Sequence, residues 1–550
     1  MISTPSTLPD DPVELKKIIA QVAAENESQR KRYKAEKESL QERYESMREQ
    51  YESETELLRE QIRKLFDQLF GRKSEKVFGG SPQLLLFDMP EFDPEAEPEI
   101  EEKVAIEAHS RKKAGRKPLP ENLPRVEVVH DIAEEEKVCG CGAALECIGE
   151  EVSEKLDLIP AIIRVIRHIR PKYGCRCCEG VEDDGPTIKI APVPPQIVPK
   201  GIASAGLLAH ILTGKFADAL PFYRQEKQLA RLGVEIGRAT MCNWTMKAAK
   251  ACEPLLELLT QEIRSGPLIN IDETTVQVLR EPGRSPTTKS YMWIFRGGEV
   301  QSPSLIYRYA PTRSGDVAAA FVEEYEGAVQ TDGYVGYNFL DTKKSIVHLG
   351  CWAHVRRKFM DAAKAGSSKS KKSGSVDVAL GYIRKLYGIE KRAKARKLDV
   401  EQLDALRQKE AKPLLEKFRK WLEKKSLHVV PKSLLGKAVS YSLDQWSRLV
   451  GYLEIGHATP DNNLAENAIR PFVVGRKNWL FAGTPEGAAA SAAIYSLIET
   501  AKANGLDTYK YLRYLFENLP LAQSEKDHLN LLPQKLNADM LALPQGFSVV

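Results

Sequence analysis

Three acidic side chains occupy positions where a protein could hold divalent metal ions. Asp272 ends the apolar run Leu268–Ile271, and Asp332 follows the segment Ala328–Thr331. Glu466 lies inside a polar stretch with a helix-like pattern. Carboxylate oxygens suit Mg²⁺, and two Mg²⁺ ions can activate an attacking oxygen and stabilise a leaving one. We expect Asp272 and Asp332 to stand at the ends of strands and Glu466 to come from a helix, an arrangement that predicts a two-metal site for phosphoryl transfer.

Simpler interpretations of these residues stay open. The chain has 76 Asp and Glu residues, so many sets of three carboxylates could be chosen. Asp272 could cap a turn, and Glu273 beside it is an alternative ligand. Glu466 could pair with Arg470, which lies four residues later and therefore on the same face of a helix.

The elements around the first two carboxylates favour convergence. Residues 266–352 read as three strands, a helix, a strand before Asp332 and a further apolar strand at 345–350. This order is typical of the start of a ribonuclease-H-like layout, in which the first and fourth strands run side by side. Asp272 and Asp332 would then meet, and a later helix would bring in Glu466.

The long gap before the third carboxylate needs its own explanation. Asp332 and Glu466 are 134 residues apart in the chain. A helical insertion at 353–455 would account for the gap, and residues 456–520 would complete the core.

Composition predicts a soluble, multidomain protein of the cytoplasm. A chain of 550 residues is too long to fold around one hydrophobic core, which suggests about three or four domains. No apolar stretch approaches the roughly 20 residues that cross a bilayer, and no export signal is recognised at the N-terminus. Nine cysteines are present, and six fall within 139–178. In a reducing compartment such clustering favours metal binding over disulfides.

The N-terminal segment 1–78 predicts a helix that pairs in a coiled coil. Apolar residues recur at alternating steps near three and four, which is typical of a coiled-coil seam, at Tyr33, Leu40, Tyr44, Met47, Tyr51, Leu58, Leu65 and Leu69. A single solvated helix is the alternative. Residues 79–125 predict a disordered linker, acidic and then basic, whose strip 111–118 could follow a phosphate backbone or simply be solvated.

Two further modules precede the core. Residues 126–192 predict a small β-rich module around the cysteines, and 193–265 predict helices. Within the latter, a helix, a turn at Gly233 and a second helix follow the helix-turn-helix rhythm. Its outward-facing residues would be Arg238, Thr240 and Asn243, although a helical hairpin that only packs in a core is the alternative. Residues 521–550 predict a poorly ordered tail.

Short motifs around these positions resemble those of the insertion-sequence-sixty-six transposase family, of the transposase C type. They occur in the family's order at Leu69–Lys76, Lys215–Gln225, Ile271–Thr275, Thr331–Tyr334, Cys351–Phe359, Asn463–Pro471 and Gly475–Phe481. The resemblance covers residues from about 69 to 520. It implies a D-D-E transposase that cuts and joins DNA at the ends of a mobile element with Mg²⁺, with Asp272, Asp332 and Glu466 as the metal-binding triad.

The resemblance also implies a structural Zn²⁺ in the cysteine module. The favoured ligands are Cys139, Cys141, Cys175 and Cys178. The first pair departs from the usual spacing because it is C-x-C, so Cys147 or Cys177 could replace one of these ligands.

Several residues near the carboxylates are candidates for contact with DNA. Arg470, Arg476 and Lys477 would offset phosphate charge, and Trp479 could stack on an unpaired base or fill a half-buried core position. Residues His354 and Arg356 could act near the site, or their helix could simply pack on the sheet.

The sequence thus predicts a multidomain α+β transposase with a coiled coil, a zinc module, a DNA-binding helical region and a ribonuclease-H-like core carrying a helical insertion. Its partners would be the terminal repeats of the element, target DNA, further copies of itself and two small accessory proteins of the same element. It would act on the bacterial nucleoid. The alternatives are a ribonuclease-H-like nuclease without strand transfer and a DNA-binding relic without chemistry.

Overall fold

A computed structural model describes residues 12–70, 163–174, 188–365 and 374–542. The chain forms two compact units, of which the smaller is Asp93–Pro192. In the described part of this smaller unit, β1 (Lys172–Gly174) and β2 (Ile188–Ile190) pair in antiparallel fashion. The six clustered cysteines lie outside the described residues, so the ligands predicted for zinc have no structural account.

The N-terminal segment is one continuous helix, α1 (Pro12–Phe70), of 59 residues and about 90 Å in length. The seam side chains whose placement is described face solvent: Tyr33 is 73%, Leu40 64%, Tyr44 65% and Met47 52% exposed. A single chain has nothing to bury them, so the pairing of two helices stays a prediction. No helix in the described ranges is both long and apolar enough to span a membrane.

A mixed five-stranded sheet forms the centre of the larger unit. Its strands are β3 (Leu268–Gln277), β4 (Lys289–Gly298), β5 (Pro303–Ala310), β6 (Gly327–Gln330) and β7 (Ile346–Leu349). The spatial order is β5-β4-β3-β6-β7. Neighbours β5, β4 and β3 pair antiparallel, whereas β6 pairs parallel with both β3 and β7. A short helix, α6 (Asp316–Phe321), connects the antiparallel half to the parallel half.

The prediction that Asp272 ends a strand is wrong. Strand β3 continues five residues beyond it, and Asp272 pairs with Ile294 of β4. The continuation is favoured by the β-branched residues Thr274, Thr275 and Val276. What ends near Asp272 is the parallel pairing with β6, whose last register pair is Asn270 with Gln330.

Helices cover both faces of the sheet. One core contains the inner side chains of β3, β4 and β5 and the helices before and after the sheet. These helices are α2 (Ala205–Phe216), α3 (Phe222–Arg231), α4 (Arg238–Ala251), α5 (Glu253–Ser265), α13 (Asn463–Trp479), α14 (Pro485–Ala503), α15 (Thr508–Asn518) and α16 (Glu525–Asn530). Side-chain caps fix several helix starts: Ser204 accepts a hydrogen bond from the Leu207 N–H at 3.2 Å and Thr484 from the Gly487 N–H at 3.1 Å.

The edge strand β5 is covered by α14 through hydroxyl groups. The N–H of Leu305 donates to Thr500 Oγ1 at 3.0 Å, and the N–H of Tyr307 donates to Ser496 Oγ at 2.8 Å. Unpaired N–H groups of an edge strand would otherwise invite pairing with another chain. The two hydroxyls therefore satisfy backbone N–H groups at this edge of the sheet.

The predicted tail is folded over most of its length. Helix α16 begins at Glu525, and the residues after it return to the first core. The leucines of this segment are spaced to bury one face, and Leu532 is completely buried. The sequence prediction missed this because the helix is only 6 residues long.

The second core is built by the insertion and by the other face of the sheet. Its helices are α7 (Trp352–Ala365), α8 (Ser375–Ala395), α9 (Val400–Leu406), α10 (Lys412–Ser426), α11 (Leu434–Asp444) and α12 (Trp446–Val450). Trp352 and Phe418 pack at its centre, and Leu268, Ala328 and Leu349 of the sheet join it. The insertion is thus continuous in packing with β3, β6 and β7.

A buried arginine fixes the chain as it leaves the insertion. Arg407, 1% exposed, makes two hydrogen bonds of 2.9 Å to the carboxylate of Glu390. Its remaining N–H groups donate to the carbonyls of Tyr452, Ile455 and Ala458 at 2.8–3.2 Å. The guanidinium therefore holds the segment that leads into α13.

Replacing this arginine tests that role. We expect Arg407→Leu to lower the free energy of unfolding by about 3–5 kcal/mol, because the partly buried carboxylate of Glu390 and three carbonyls lose the donors that Arg407 supplies. Chemical denaturation measures the change. The control is Arg419→Leu, since Arg419 pairs with Glu423 on the exposed face of α10 and should cost below about 1 kcal/mol. Equal losses in both variants would contradict the role of Arg407.

Candidate active site

Parallel pairing places two aspartates at the same level of the sheet. Asn270 of β3 is the register partner of Gln330 of β6. Asp272 and Asp332 each follow two residues later, and residues two apart in an extended chain share a face. The two carboxylates interact electrostatically, because Asp332 contributes to raising the pKa of Asp272.

A buried network of side-chain amides brings the third carboxylate to the same place. Asn270 Nδ2 donates to Gln330 Oε1 at 2.9 Å and to Asn462 Oδ1 at 3.0 Å. Asn462 Nδ2 donates in turn to the carbonyl of Ile271 at 2.8 Å. These three amide side chains are at most 1% exposed. Since Asn462 directly precedes α13, the network fixes the first turn of that helix, which carries Glu466, against β3.

A second pair of bonds anchors the same network to the returning chain. Gln330 Nε2 donates to the carbonyls of Thr459 at 2.8 Å and Gly350 at 3.2 Å. The backbone N–H of Asn462 donates to Cys351 Sγ at 3.2 Å. The start of α7 and the start of α13 are thereby held next to β6.

The sequence prediction missed these three amides. A signal was present, because Asn270 interrupts the apolar run Leu268–Ile271 and Gln330 ends the run Ala328–Val329. A polar side chain inside a buried strand needs a hydrogen-bond partner, and Asn270 and Gln330 are hydrogen-bonded to each other.

The three carboxylates are held together against their own repulsion. Burial raises the pKa of Asp272 well above its usual range, and the charges of Glu273, Glu466 and Asp332 raise it further. Burial also raises the pKa of Glu466 to about 7, although Arg357 opposes the shift. In the described part of the chain no salt bridge reaches Asp272 or Asp332. A divalent cation is the partner that such a cluster would favour.

The neighbouring Glu273 is already neutralised within the protein. Arg313 Nε donates to Glu273 Oε1 at 2.6 Å, and the Tyr337 hydroxyl donates to Oε2. Burial and Asp332 raise the pKa of Glu273, whereas Tyr337 and Arg313 lower it. Of the two adjacent carboxylates, Asp272 is therefore the one without a protein cation.

Helix α7 supplies the neighbours of Glu466. Arg357 Nη2 lies 3.5 Å from Glu466 Oε2, and His354 Nδ1 lies 3.5 Å from Oε1. Burial lowers the pKa of His354 to about 4, and Arg357 lowers it further, so the imidazole is neutral at pH 7. The sequence had indicated His354 and Arg356; the arginine that reaches Glu466 is Arg357.

A chain of polar side chains supports the loop that carries Asp332. The Thr331 hydroxyl lies 2.9 Å from His348 Nε2 and 2.8 Å from the carbonyl oxygen of Asp332. His348 Nδ1 lies 2.8 Å from Asp341 Oδ1, and Arg448 donates to the same carboxylate. The backbone N–H of Tyr334 also donates to the carboxylate of Asp332, at 2.9 Å.

The basic and aromatic candidates on α13 differ in exposure. Lys477 is exposed, whereas Arg470 is half-buried. Arg476 is half-buried and donates to the hydroxyl oxygens of Thr275 and Thr274 at 3.0 and 3.3 Å, which ties α13 to β3. The ring of Trp479 packs edge-on against Phe472 with centroids 5.4 Å apart.

The predicted helix-turn-helix corresponds to α3, a turn and α4. Gly233 in the turn has φ +83°, which a residue with a side chain rarely adopts. Arg238, Thr240 and Asn243 at the start of α4 are exposed, while Met241 and Trp244 between and after them are buried. The first three side chains are therefore available to a ligand.

The raised pKa of Glu466 predicts a gain in stability when its charge is removed. The folded protein binds this proton more tightly than the unfolded chain, whose value is 4.5, so the unfolding free energy falls as pH rises from about 4.5 to about 7. We expect Glu466→Gln to raise the unfolding free energy of metal-free protein by up to about 3 kcal/mol at pH 8 and to leave it unchanged at pH 4.

Denaturant titrations at both pH values measure this effect. The control is Glu423→Gln, because Glu423 is half exposed on α10 and should change the unfolding free energy by less than about 1 kcal/mol at either pH. A Glu466→Gln protein that is less stable than wild type at pH 8 would contradict the repulsion.

Comparisons with known families identify what the chain is similar to. The model described as "Transposase IS66 family" matches residues 200–490, more than half of the chain. Three further models match shorter segments: "zinc-finger binding domain of transposase IS66" at 136–179, "Transposase C of IS166 homeodomain" at 57–128, and "IS66 C-terminal element" at 496–534. The zinc-finger match supports a structural zinc in the cysteine module.

Relatives in Sinorhizobium fredii (strain NBRC 101917 / NGR234) are similar over most of their length. The uncharacterized protein y4jD is 33% identical over 77% of this chain and 82% of its own length. The uncharacterized protein y4qI is 30% identical over 79% of this chain and 82% of its own length. From the family match and these relatives, this chain belongs to the IS66 family of transposases, which act on DNA.

Proposed function

We propose that the chain is a D-D-E transposase that uses Asp272, Asp332 and Glu466 to hold two Mg²⁺ ions. It would cleave DNA strands at the ends of its insertion element and join them to target DNA. The observation that carries the proposal is the convergence of three carboxylates. Asp272 lies on β3, Asp332 lies two residues after its parallel neighbour β6, and Glu466 lies in the first turn of α13.

The strand order supports a ribonuclease-H-like core. Three antiparallel strands come first in the chain, a helix follows, and the fourth strand returns parallel to the first. In that layout the first and fourth strands carry the first two carboxylates. Asp272 and Asp332 are on or directly after those strands.

The donor set suits a hard cation. It consists of carboxylate oxygens, and one of them, Glu466 Oε1, is buried without a hydrogen-bond partner among the described residues. When bound, Mg²⁺ would activate a water or a 3′-hydroxyl and stabilise the leaving oxygen. Arg357, whose side chain is 42% exposed beside Glu466, is placed to offset phosphate charge.

DNA recognition is assigned to residues outside the three carboxylates. Arg238, Thr240 and Asn243 would contact DNA from α4, and Lys477 would do so from α13, together with Arg470, Arg476 and Trp479. Zinc held by Cys139, Cys141, Cys175 and Cys178 would order the module before them. Helix α1 would pair subunits, because two element ends must be held together for joining.

The predicted modules would work together in one transposition reaction. The segments predicted from the sequence, from the N-terminal helix at 1–78 to the completed core at 456–520, would act as modules of one enzyme on the bacterial nucleoid. Two accessory proteins of the same element would assist it.

Substitution of each carboxylate tests the chemistry. Asp272→Asn, Asp332→Asn and Glu466→Gln should each reduce Mg²⁺-dependent cleavage and joining by about 1,000-fold or more, because each removes a metal ligand. The assay uses labelled DNA that carries the element end, with a pre-cut 3′-hydroxyl end to score joining separately.

Glu273→Gln is the matched control for this series. Its carboxylate is adjacent in sequence but is paired with Arg313 and Tyr337, so the variant should retain far more activity than Asp272→Asn. Cleavage without joining would indicate a nuclease. Binding without any product, even with the accessory proteins added, would indicate a relic.

The contacts assigned to α4 have a separate test. Arg238→Ala should weaken binding to the element end by about 1–3 kcal/mol and lower its dependence on salt, because one cation facing DNA is lost. Electrophoretic mobility shift at two salt concentrations measures this. Lys250→Ala, at the exposed C-terminal end of the same helix, should bind as wild type; equal losses would contradict the assignment.

A further inference from the structure

A second set of metal-ligating atoms adjoins the carboxylates. Cys351 Sγ, a ring nitrogen of His354 and a carboxylate oxygen of Glu466 all lie within 4.8 Å of one another. Cys351 is 2% and Glu466 is 6% exposed. These residues come from the start of α7 and from the first turn of α13, so two elements of the fold meet in this cluster.

Two of the three groups have buried atoms without partners. Glu466 Oε1 and His354 Nδ1 find no hydrogen-bond partner among the described residues, although they lie 3.5 Å from each other. A buried polar atom without a partner costs free energy that a bound ligand can recover. A neutral imidazole at His354 and an ionised carboxylate at Glu466 would each donate a lone pair to an ion bound between them.

The local sequence and the amide network preorganise the cluster. Cys351 directly precedes α7 and His354 lies in its first turn, and their ligand atoms lie within 4.8 Å of each other. The thiol is fixed by the N–H of Asn462 at 3.2 Å, and Asn462 is also the residue that anchors α13. The three groups therefore need only small movements to share an ion.

The ligand types select a different metal from the one proposed for the three carboxylates. Thiolate and imidazole favour Zn²⁺ and similar borderline ions, whereas Mg²⁺ takes oxygen ligands. A tetrahedral Zn²⁺ with bonds of about 2.0–2.3 Å would bring the widest pair of ligand atoms closer by about 1 Å. Binding would release the Cys351 proton to solvent, because the thiolate is the ligand.

We propose that Cys351, His354 and Glu466 form a binding site for a thiophilic divalent cation such as Zn²⁺, and that an ion bound there withdraws Glu466 from the Mg²⁺ site. Glu466 is the residue common to both sets, so the two ions compete for its carboxylate. Arg357, 3.5 Å from Glu466 Oε2, opposes a cation and keeps the affinity moderate. The regulatory half of this inference rests on the proposed function, whereas the binding half does not.

Cobalt spectroscopy tests the binding half directly. Co²⁺ is titrated into the full-length protein after one molar equivalent of Zn²⁺ has filled the cysteine module, whose four thiolates take Zn²⁺ ahead of the three-ligand site. We expect a thiolate-to-cobalt charge-transfer band and visible bands of tetrahedral Co²⁺ in wild type. In Cys351→Ser, which keeps the size and the hydrogen-bond acceptor, the charge-transfer band should disappear and the affinity should fall about 100-fold.

The matched control is Cys242→Ser, because Cys242 is a free cysteine exposed on α4, outside the cluster. It should give the wild-type spectrum. His354→Gln should weaken Co²⁺ binding while leaving the charge-transfer band at saturation. Identical Co²⁺ spectra and affinities in wild type and Cys351→Ser would overturn the site.

Inhibition of the strand-cleavage reaction tests the regulatory half. Zn²⁺ added to the Mg²⁺ reaction should inhibit wild type and Cys242→Ser equally, and inhibition of Cys351→Ser should require about 100-fold more Zn²⁺. Equal inhibition of all three proteins would overturn the competition even where the cobalt site is found. A cobalt site in a protein that never cleaves DNA would refute the proposed function and leave the binding site standing.

Discussion

The hydrogen bonds among Asn270, Gln330 and Asn462 are the constraint on which the rest of the site depends. They join neighbouring parallel strands to the residue before α13. Each amide is buried, so breaking one bond would leave a donor or acceptor without water to replace it. This cost holds Glu466 at one position relative to β3, although 134 residues separate it from Asp332 in the chain.

The insertion contributes by returning the chain to a fixed place. Arg407 donates hydrogen bonds to carbonyl oxygens in the segment 452–458. The side chain of Gln330 donates to the carbonyl oxygen of Thr459, the next residue. The second core packs on the same edge of the sheet through Leu268, Ala328 and Leu349. A large helical insertion can therefore lie between two parts of one site without loosening it. The stability gained there offsets the repulsion among buried carboxylates, a trade-off common at functional sites.

Much of this arrangement could be predicted from the sequence. The order of strands and helices and the helical nature of the insertion follow from hydrophobic periodicity. The three acidic residues are candidates because they lie beside apolar strands or in a polar helix, and their role as metal ligands stays a prediction. The extension of β3 beyond Asp272 was missed, because an acidic residue in a strand reads as its end, whereas pairing with β4 continues. The amide network and the position of Arg357 depend on register and helix packing, which periodicity does not specify.

Joint binding of divalent metal by Asp272, Asp332 and Glu466 is tested most directly by anomalous diffraction from crystals of the full-length protein soaked in Mn²⁺, a scatterer that takes the same oxygen ligands as Mg²⁺. We expect two anomalous peaks, each about 2.2 Å from carboxylate oxygens of these three residues. Mn²⁺ bound elsewhere at saturating concentration, or bound by Glu273 instead of Asp272, would contradict joint binding.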